Sequence, residues 1–125
     1  MKRLVVLLMA TVMCIGLFTG CANKTDAKVV IGRSYSWYFD TNNWEKISFF
    51  PDGTAQLYTF KQGAPTLQPH LTYSTNRSNV TVYFDYSEDI PERYRGEILA
   101  EFTCYAEGEY LMSNMGLKYV LNTTN

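Results

Sequence analysis

Residues 44–60, WEKISFFPDGTAQLYTF, decide the fold. Glu45, Ile47 and Phe49 alternate with Lys46, Ser48 and Phe50, and a period of two belongs to a strand, because successive side chains of an extended chain point to opposite faces. Pro51-Asp52-Gly53 then breaks the run. Pro51 has no amide hydrogen to give a ladder, and Gly53 takes positive φ without steric penalty, so the segment predicts a hairpin. The partner strand runs from Thr54 to Phe60. Its facing stays open: Ala55, Leu57 and Thr59 can point inward, but Tyr58 and Phe60 are then exposed.

The same period extends in both directions. Upstream, Tyr35, Trp37 and Phe39 alternate with Ser34, Ser36 and Tyr38 before a turn at Asp40-Thr41-Asn42-Asn43. Downstream, the glycine and two prolines of residues 61–69, KQGAPTLQP, predict a loop. Leu71 and Tyr73 begin another strand, Asn76 to Ser78 turn, and Val80, Val82 and Phe84 mark a half-buried strand. Residues 86–96, YSEDIPERYRG, form the most charged stretch, with room for one helical turn after Ser87. Strands over Glu97–Tyr105, Tyr110–Ser113 and Leu117–Leu121 complete the count, separated by turns at Ala106-Glu107-Gly108 and Gly116. Eight short strands in sequence leave two exposed edges unless the sheet closes, which predicts an all-β, eight-stranded antiparallel up-and-down barrel. The inward rings Tyr35, Trp37, Tyr73, Phe84 and Phe102 either fill such a barrel or line a cavity in it. Interiors pack densely, and for so short a chain with such large rings that favours a filled core.

The chain has 125 residues, 46% hydrophobic and 18% charged, with a formal net charge of -1. That balance excludes a disordered acidic tail and a strongly basic nucleic-acid binder. Residues 4–18, LVVLLMATVMCIGLF, form an uncharged run directly behind Lys2 and Arg3. The run is shorter than the roughly 20 residues of a membrane-spanning helix and ends near the small residue Gly20, so it reads as an export signal. The expected organisation is a signal peptide over 1–20, a tether over 21–29 and a barrel domain over 30–125. The tether rests on residues 22–28, ANKTDAK, which are small, polar and without periodicity. Cys14 departs with the signal, and with Cys21 available for acylation only Cys104 remains as a thiol, so no intramolecular disulfide is expected. Cys104 follows Ala100 and Phe102 on the apolar phase of its strand and is expected to be buried.

Leu17-Phe18-Thr19-Gly20-Cys21 resembles the lipobox of bacterial lipoproteins, in which the cysteine becomes the lipidated N-terminus. The resemblance implies a membrane anchor at Cys21 in the cell envelope, and Ala22 in place of an aspartate implies the outer membrane. A second resemblance covers residues 30–121. Ile31-Gly32 opens an aromatic strand, Phe49-Phe50-Pro51-Asp52-Gly53-Thr54 forms a hairpin, Tyr73 precedes a turn, and Gly116-Leu117-Lys118-Tyr119-Val120-Leu121 closes the chain. This pattern is similar to the lipocalin-like domains of small bacterial lipoproteins, especially those of Bacteroidetes, and implies a binding function.

Catalytic chemistry finds little purchase in the sequence. His70 is the sole histidine, which excludes a multi-histidine metal site, and Cys104 has no electropositive motif near it. Asp40-Thr41-Asn42-Asn43 begins like a calcium loop, but Trp44 follows and no glycine does, so it reads as a turn. No catalytic residue, metal or cofactor and no nucleic-acid partner is expected. The leading expectation is a non-enzymatic, membrane-anchored binding protein that holds a small apolar ligand or an envelope protein. Tyr35, Trp37 and Tyr73 inside the barrel and Tyr86 and Tyr94 on its loops are the candidate binding residues, because exposed aromatics on barrel loops make contact anchors. Two alternatives stand beside it. Met115-Gly116-Leu117-Lys118-Tyr119 resembles the Ser-Gly-x-x-Tyr motif of lipoprotein lysozyme inhibitors with the serine lost, and Glu88, Asp89 and Glu92 offer paired carboxylates for a hydrolase. If Cys21 carries the anchor, Cys21→Ala leaves the membrane fraction on cell fractionation; retention of the variant with the membranes contradicts the lipoprotein reading.

Overall fold

The computed structural model describes residues 23–123. Its eight strands are β1 (Ser34–Asp40), β2 (Asn43–Phe49), β3 (Thr54–Lys61), β4 (Ala64–Asn76), β5 (Asn79–Phe84), β6 (Ile98–Tyr105), β7 (Tyr110–Ser113) and β8 (Lys118–Leu121). Each pairs antiparallel with the next, and β8 returns to β1 through Tyr35↔Leu121 and Ser36↔Val120, so the sheet is a closed barrel in simple sequence order. Up-and-down order sends alternate connections to opposite ends. Residues 41–42, 62–63, 85–97 and 114–117 gather at one end, and residues 50–53, 77–78 and 106–109 at the other.

The decisive hairpin is built as its sequence dictates. Phe50 and Thr54 share a backbone hydrogen bond of 2.9 Å, Gly53 has φ +91°, and the Asp52 carboxylate accepts from the Thr54 amide and hydroxyl at 3.0 and 2.6 Å. The register Ile47↔Leu57 and Phe49↔Ala55 puts Ala55 and Leu57 inside. Tyr58 and Phe60 therefore lie on the outer face, where they cover Trp44 at ring separations of 5.3 and 5.6 Å. Mutual stacking shields the outer rings, which resolves the ambiguity that alternation leaves in β3.

Residues 61–69 are not a loop. Gln62 and Gly63, both at positive φ, form a two-residue turn between Lys61 and Ala64, and β4 continues unbroken to Asn76. The prolines are tolerated for separate reasons. Pro65 stands one residue into the strand, opposite Phe60, and Pro69 falls at a bulge where Gln56 of β3 faces both Pro69 and His70. Among the described residues the one long connection between strands is 85–97, and it contains the 3-10 turn Glu92–Tyr94.

The segment read as a tether is fixed to the barrel from Asn23 onward. Lys24 bridges Tyr105, the Thr25 amide donates to the Cys104 carbonyl at 2.9 Å, and the Ala27 amide donates to the Arg77 carbonyl at 2.6 Å. A 3-10 turn, Ala27–Val30, then buries Ala27 and Val30 completely across the end of the barrel. The polar composition of residues 22–28 conceals this role, since two small apolar side chains do the plugging. Cys21 and the whole of residues 1–22 lie outside the described residues.

The core is concentrated toward this plugged end. Tyr35, Phe49, Leu71, Val80, Val82, Cys104 and Leu111 are fully or almost fully buried there. Phe49 packs edge-to-face on both Tyr35 and Tyr73, with centroids at 6.1 and 5.0 Å. The buried Tyr35 hydroxyl donates to the Gly108 carbonyl at 2.7 Å and the half-buried Tyr73 hydroxyl to the Phe50 carbonyl at 2.8 Å, so each phenol is satisfied at the rim it reaches. Gly108 has φ +87°, and a Cβ there would fall 2.6 Å from Arg33 and Val29, so the crossing of the N-terminal strap requires glycine. Phe102 belongs to the same core, 4% exposed, against Tyr119 at 5.2 Å. Truncation of Phe49 or Phe102 to Ala should cost about 3–5 kcal/mol in urea denaturation; a loss below about 1 kcal/mol, the range of ordinary surface changes, contradicts this packing.

Candidate functional site

The other end of the barrel is open. Below its rim lies a cavity of about 430 Å³ whose walls come from six of the eight strands and from the β7–β8 turn. The expectation of a wholly filled interior therefore holds for one half of the barrel only. The cause is local. The inward positions of β2 and β3 nearest the rim carry Glu45, Thr59 and Lys61 rather than large apolar groups, and the buried Ile90 of the 85–97 connection does not line the cavity.

The cavity wall is predominantly apolar. Ile47 and Leu57 form one side, Leu99, Ala100 and Phe102 the opposite side, and Leu117 with the exposed Met115 stands at the β7–β8 turn. A bulge in β6 between the partners of Val82 and Tyr83 lets both Leu99 and Ala100 reach the interior. Trp37 completes the wall at the mouth, where its ring stacks on Phe39 at 6.5 Å and 28°.

One carboxylate interrupts this apolar surface. Glu45 follows the inward phase set by Ile47 and Phe49, and its Oε1 accepts a 2.6 Å hydrogen bond from the Tyr119 hydroxyl of β8. Tyr119 is 6% exposed. Burial, the hydrogen bond to Glu45 and the nearby negative charge all push its phenol well above the ordinary tyrosine range. The phenol is thus a fixed donor at any physiological pH, and the carboxylate is held by one oxygen. Among the described residues no lysine or arginine nitrogen forms an ion pair with Glu45.

The residues singled out from sequence divide between three places. Trp37 lines the cavity, whereas Tyr35 and Tyr73 sit at the plugged end as core. Tyr86, 79% exposed, and Tyr94, 41% exposed, stand on the 85–97 connection at the open end but do not line the cavity. Glu45 and Tyr119 carry the polar chemistry of the site; the sequence singles out Tyr119 only as the last residue of the inhibitor-like motif, and Glu45 for no binding role. The available signal was a charged residue on the apolar phase of a strand, at a position where an inward carboxylate needs a partner.

The acidic connection is a structured clamp. The Arg95 guanidinium Nε donates to the Ser87 and Ile90 carbonyls at 3.1 and 2.8 Å, Ile90 is buried, and Tyr94 packs on Phe84 at 5.8 Å. His70 of β4 reaches it through Nε2, 3.1 Å from the Asp89 carboxylate, with Asp85 3.8 Å from Nδ1. Cys104 is buried, and burial raises its thiol pKa, the opposite of what a nucleophile needs. The Asp40 carboxylate is used by its own turn, accepting from the Asn42 amide at 2.8 Å and the Asn43 side chain at 3.0 Å. Among the described residues no three His, Cys, Asp or Glu side chains converge as metal ligands, and no helix is long and apolar enough to cross a membrane.

No family model, curated protein or solved structure matches this chain.

The raised Tyr119 pKa links stability to alkaline pH. An unfolded tyrosine ionises near pH 10, while the folded phenol resists ionisation, so its contribution is complete below about pH 10 and is lost as pH rises through the folded value. Urea midpoints should fall above about pH 10, and Tyr119→Phe should reduce that alkaline loss without removing the parts due to Tyr35 and Tyr73, whose pKa values burial also raises. An identical alkaline decline in the variant contradicts the assignment.

Proposed function

We propose that this chain is a non-enzymatic, lipocalin-like lipoprotein of the bacterial cell envelope that holds a small apolar ligand in the open end of its barrel. One observation carries the reading: the barrel is filled and plugged at one end and hollow at the other. A volume of about 430 Å³ lies within the range of small-molecule sites, roughly 300–1,000 Å³, and an apolar wall with few polar groups is their usual composition. A carboxylate–phenol pair in that wall can orient a ligand. Glu45 is the one carboxylate in the cavity lining among the described residues, and the lack of a second supports a binding role over a hydrolytic one.

Anchoring at Cys21 fits the same arrangement. Asn23 accepts a 3.0 Å hydrogen bond from the Ala106 amide at the plugged end, and two residues of extended chain reach at most about 7 Å. An acylated Cys21 would keep the plugged end beside the membrane and turn the cavity away from it, toward whatever delivers or receives the ligand. Ala22, where an aspartate would favour retention at the inner membrane, supports the outer membrane as the location.

The lysozyme-inhibitor alternative depends on Tyr119 as a presented motif residue, and that side chain points into the barrel toward Glu45. The test of the cavity reading is uptake of the neutral fluorescent probe N-phenyl-1-naphthylamine by the full chain, measured against a detergent-only blank. Uptake near one probe per chain is expected, and Ala100→Phe, which fills the cavity wall, should reduce it at least tenfold while the thermal midpoint changes little. Failure of the parent chain to take up the probe, or undiminished uptake by the filled variant, contradicts the proposal.

A further inference from the structure

We infer that the open end of the barrel selects apolar ligands that carry a protonated amine, with the Glu45 carboxylate as the counter-charge. This rests on the ligand-binding reading above and specifies its chemistry.

The inference starts from what Glu45 lacks. A carboxylate turned into an apolar cavity gives up part of its hydration and retains that loss unless donors replace the water. The Tyr119 hydroxyl replaces one donor, at 2.6 Å on Oε1, and among the described residues no protein cation lies within ion-pair distance of this carboxylate in the cavity wall. A ligand ammonium meets both remaining needs at once, because it brings a positive charge and several N–H donors to the free oxygen. A ligand carboxylate would instead bring a second negative charge against Glu45, and a neutral ligand would leave the deficit as it is.

Two other features of the wall point the same way. Trp37 and Phe102 share the cavity with Glu45, and aromatic rings attract a cation through their negative faces. Lys61 is the one basic side chain in the same lining, and it could be thought to favour an anionic ligand. It lies at the last position of β3, directly before the Gln62-Gly63 turn, and is exposed. Its charge is solvated at the lip and screened, whereas Glu45 pairs two residues deeper, with Thr59, inside the mouth. Depth decides which charge a buried ligand meets, so the carboxylate dominates.

Why Tyr119 is a phenol also follows. As a neutral donor it satisfies one Glu45 oxygen without adding a charge of its own and holds that carboxylate by Oε1. The ammonium then binds the oxygen that Tyr119 leaves free.

The experiment uses three ligands of one shape and three charges, 2-(1-naphthyl)ethylamine, 1-naphthaleneethanol and 1-naphthylacetic acid. Each is titrated by calorimetry into the full chain in maltoside micelles with a micelle-only blank at pH 7. The amine is expected to bind at least tenfold tighter than the acid, with the alcohol between them. Glu45→Gln should abolish the preference for the amine over the alcohol while leaving alcohol binding within about twofold. Tyr119→Phe should keep the preference, because the carboxylate remains, and it serves as the folded reference if Glu45→Gln proves unstable. Equal binding of amine and alcohol, or tighter binding of the acid, overturns the inference while leaving the apolar-ligand reading in place. Preference for the amine that survives Glu45→Gln also overturns it. Binding of none of the three overturns both.

Discussion

Everything in this molecule depends on the hydrogen bonding of its last strand to its first. Eight strands in simple order would otherwise end in two bare edges, and the pairs Tyr35↔Leu121 and Ser36↔Val120 remove both at once. Closure also sets the interior dimensions. A barrel of eight strands sits at the size where side chains just fill the lumen or leave room for one small molecule, so the outcome turns on which residues occupy the inward phase at each level.

Those residues differ between the two ends. Toward the strap, the inward side chains pack without a gap, the phenols of Tyr35 and Tyr73 find carbonyls at the rim, and Ala27 and Val30 cover what remains. Toward the other end, the same phase passes from Phe49 through Ile47 to Glu45, and the packing gives way to a cavity at the level where the carboxylate appears. A single strand thus carries the transition from filled interior to open cavity. Glu45 would be a poor choice in a solid core, where it would lack donors, and it is better placed in the wall of a cavity.

Much of this was legible before any coordinates. Strand count, the inward assignment of Phe102 and Cys104, and closure all follow from a period of two and the need to cover edges. Three features were not. Residues 61–69 contain a glycine and two prolines, the ordinary signs of a loop, yet Gly63 supplies one half of a two-residue turn and the prolines fall beside that turn and at a bulge. Residues 22–28 carry no periodicity because a 3-10 turn used as a plug needs only Ala27 and Val30 to be apolar. The cavity itself was hidden because volume is a property of facing strands. Glu45 on β2 and Tyr119 on β8 are 74 residues apart, and no local pattern announces that they meet.

The long β4 strand has a consequence for how copies of this protein coexist at high density. Its pairing with β5 begins only at Leu71↔Phe84, so from Ala64 to His70 it has β3 on one side and no strand on the other. Such a stretch is a template onto which another chain can zip. Lys61 and Ala64 close a two-residue hairpin as a hydrogen-bonded pair, which turns the backbone nitrogen of Pro65 away from β3 and toward that unpartnered side. Proline has no hydrogen there to donate. Pro69 lies at the bulge four residues on, where the chain departs from a regular ladder, and the His70 carbonyl is already taken by the Asp85 amide at 3.0 Å. The residues that disguise this segment as a loop are also the ones that keep it from recruiting its neighbours into a shared sheet.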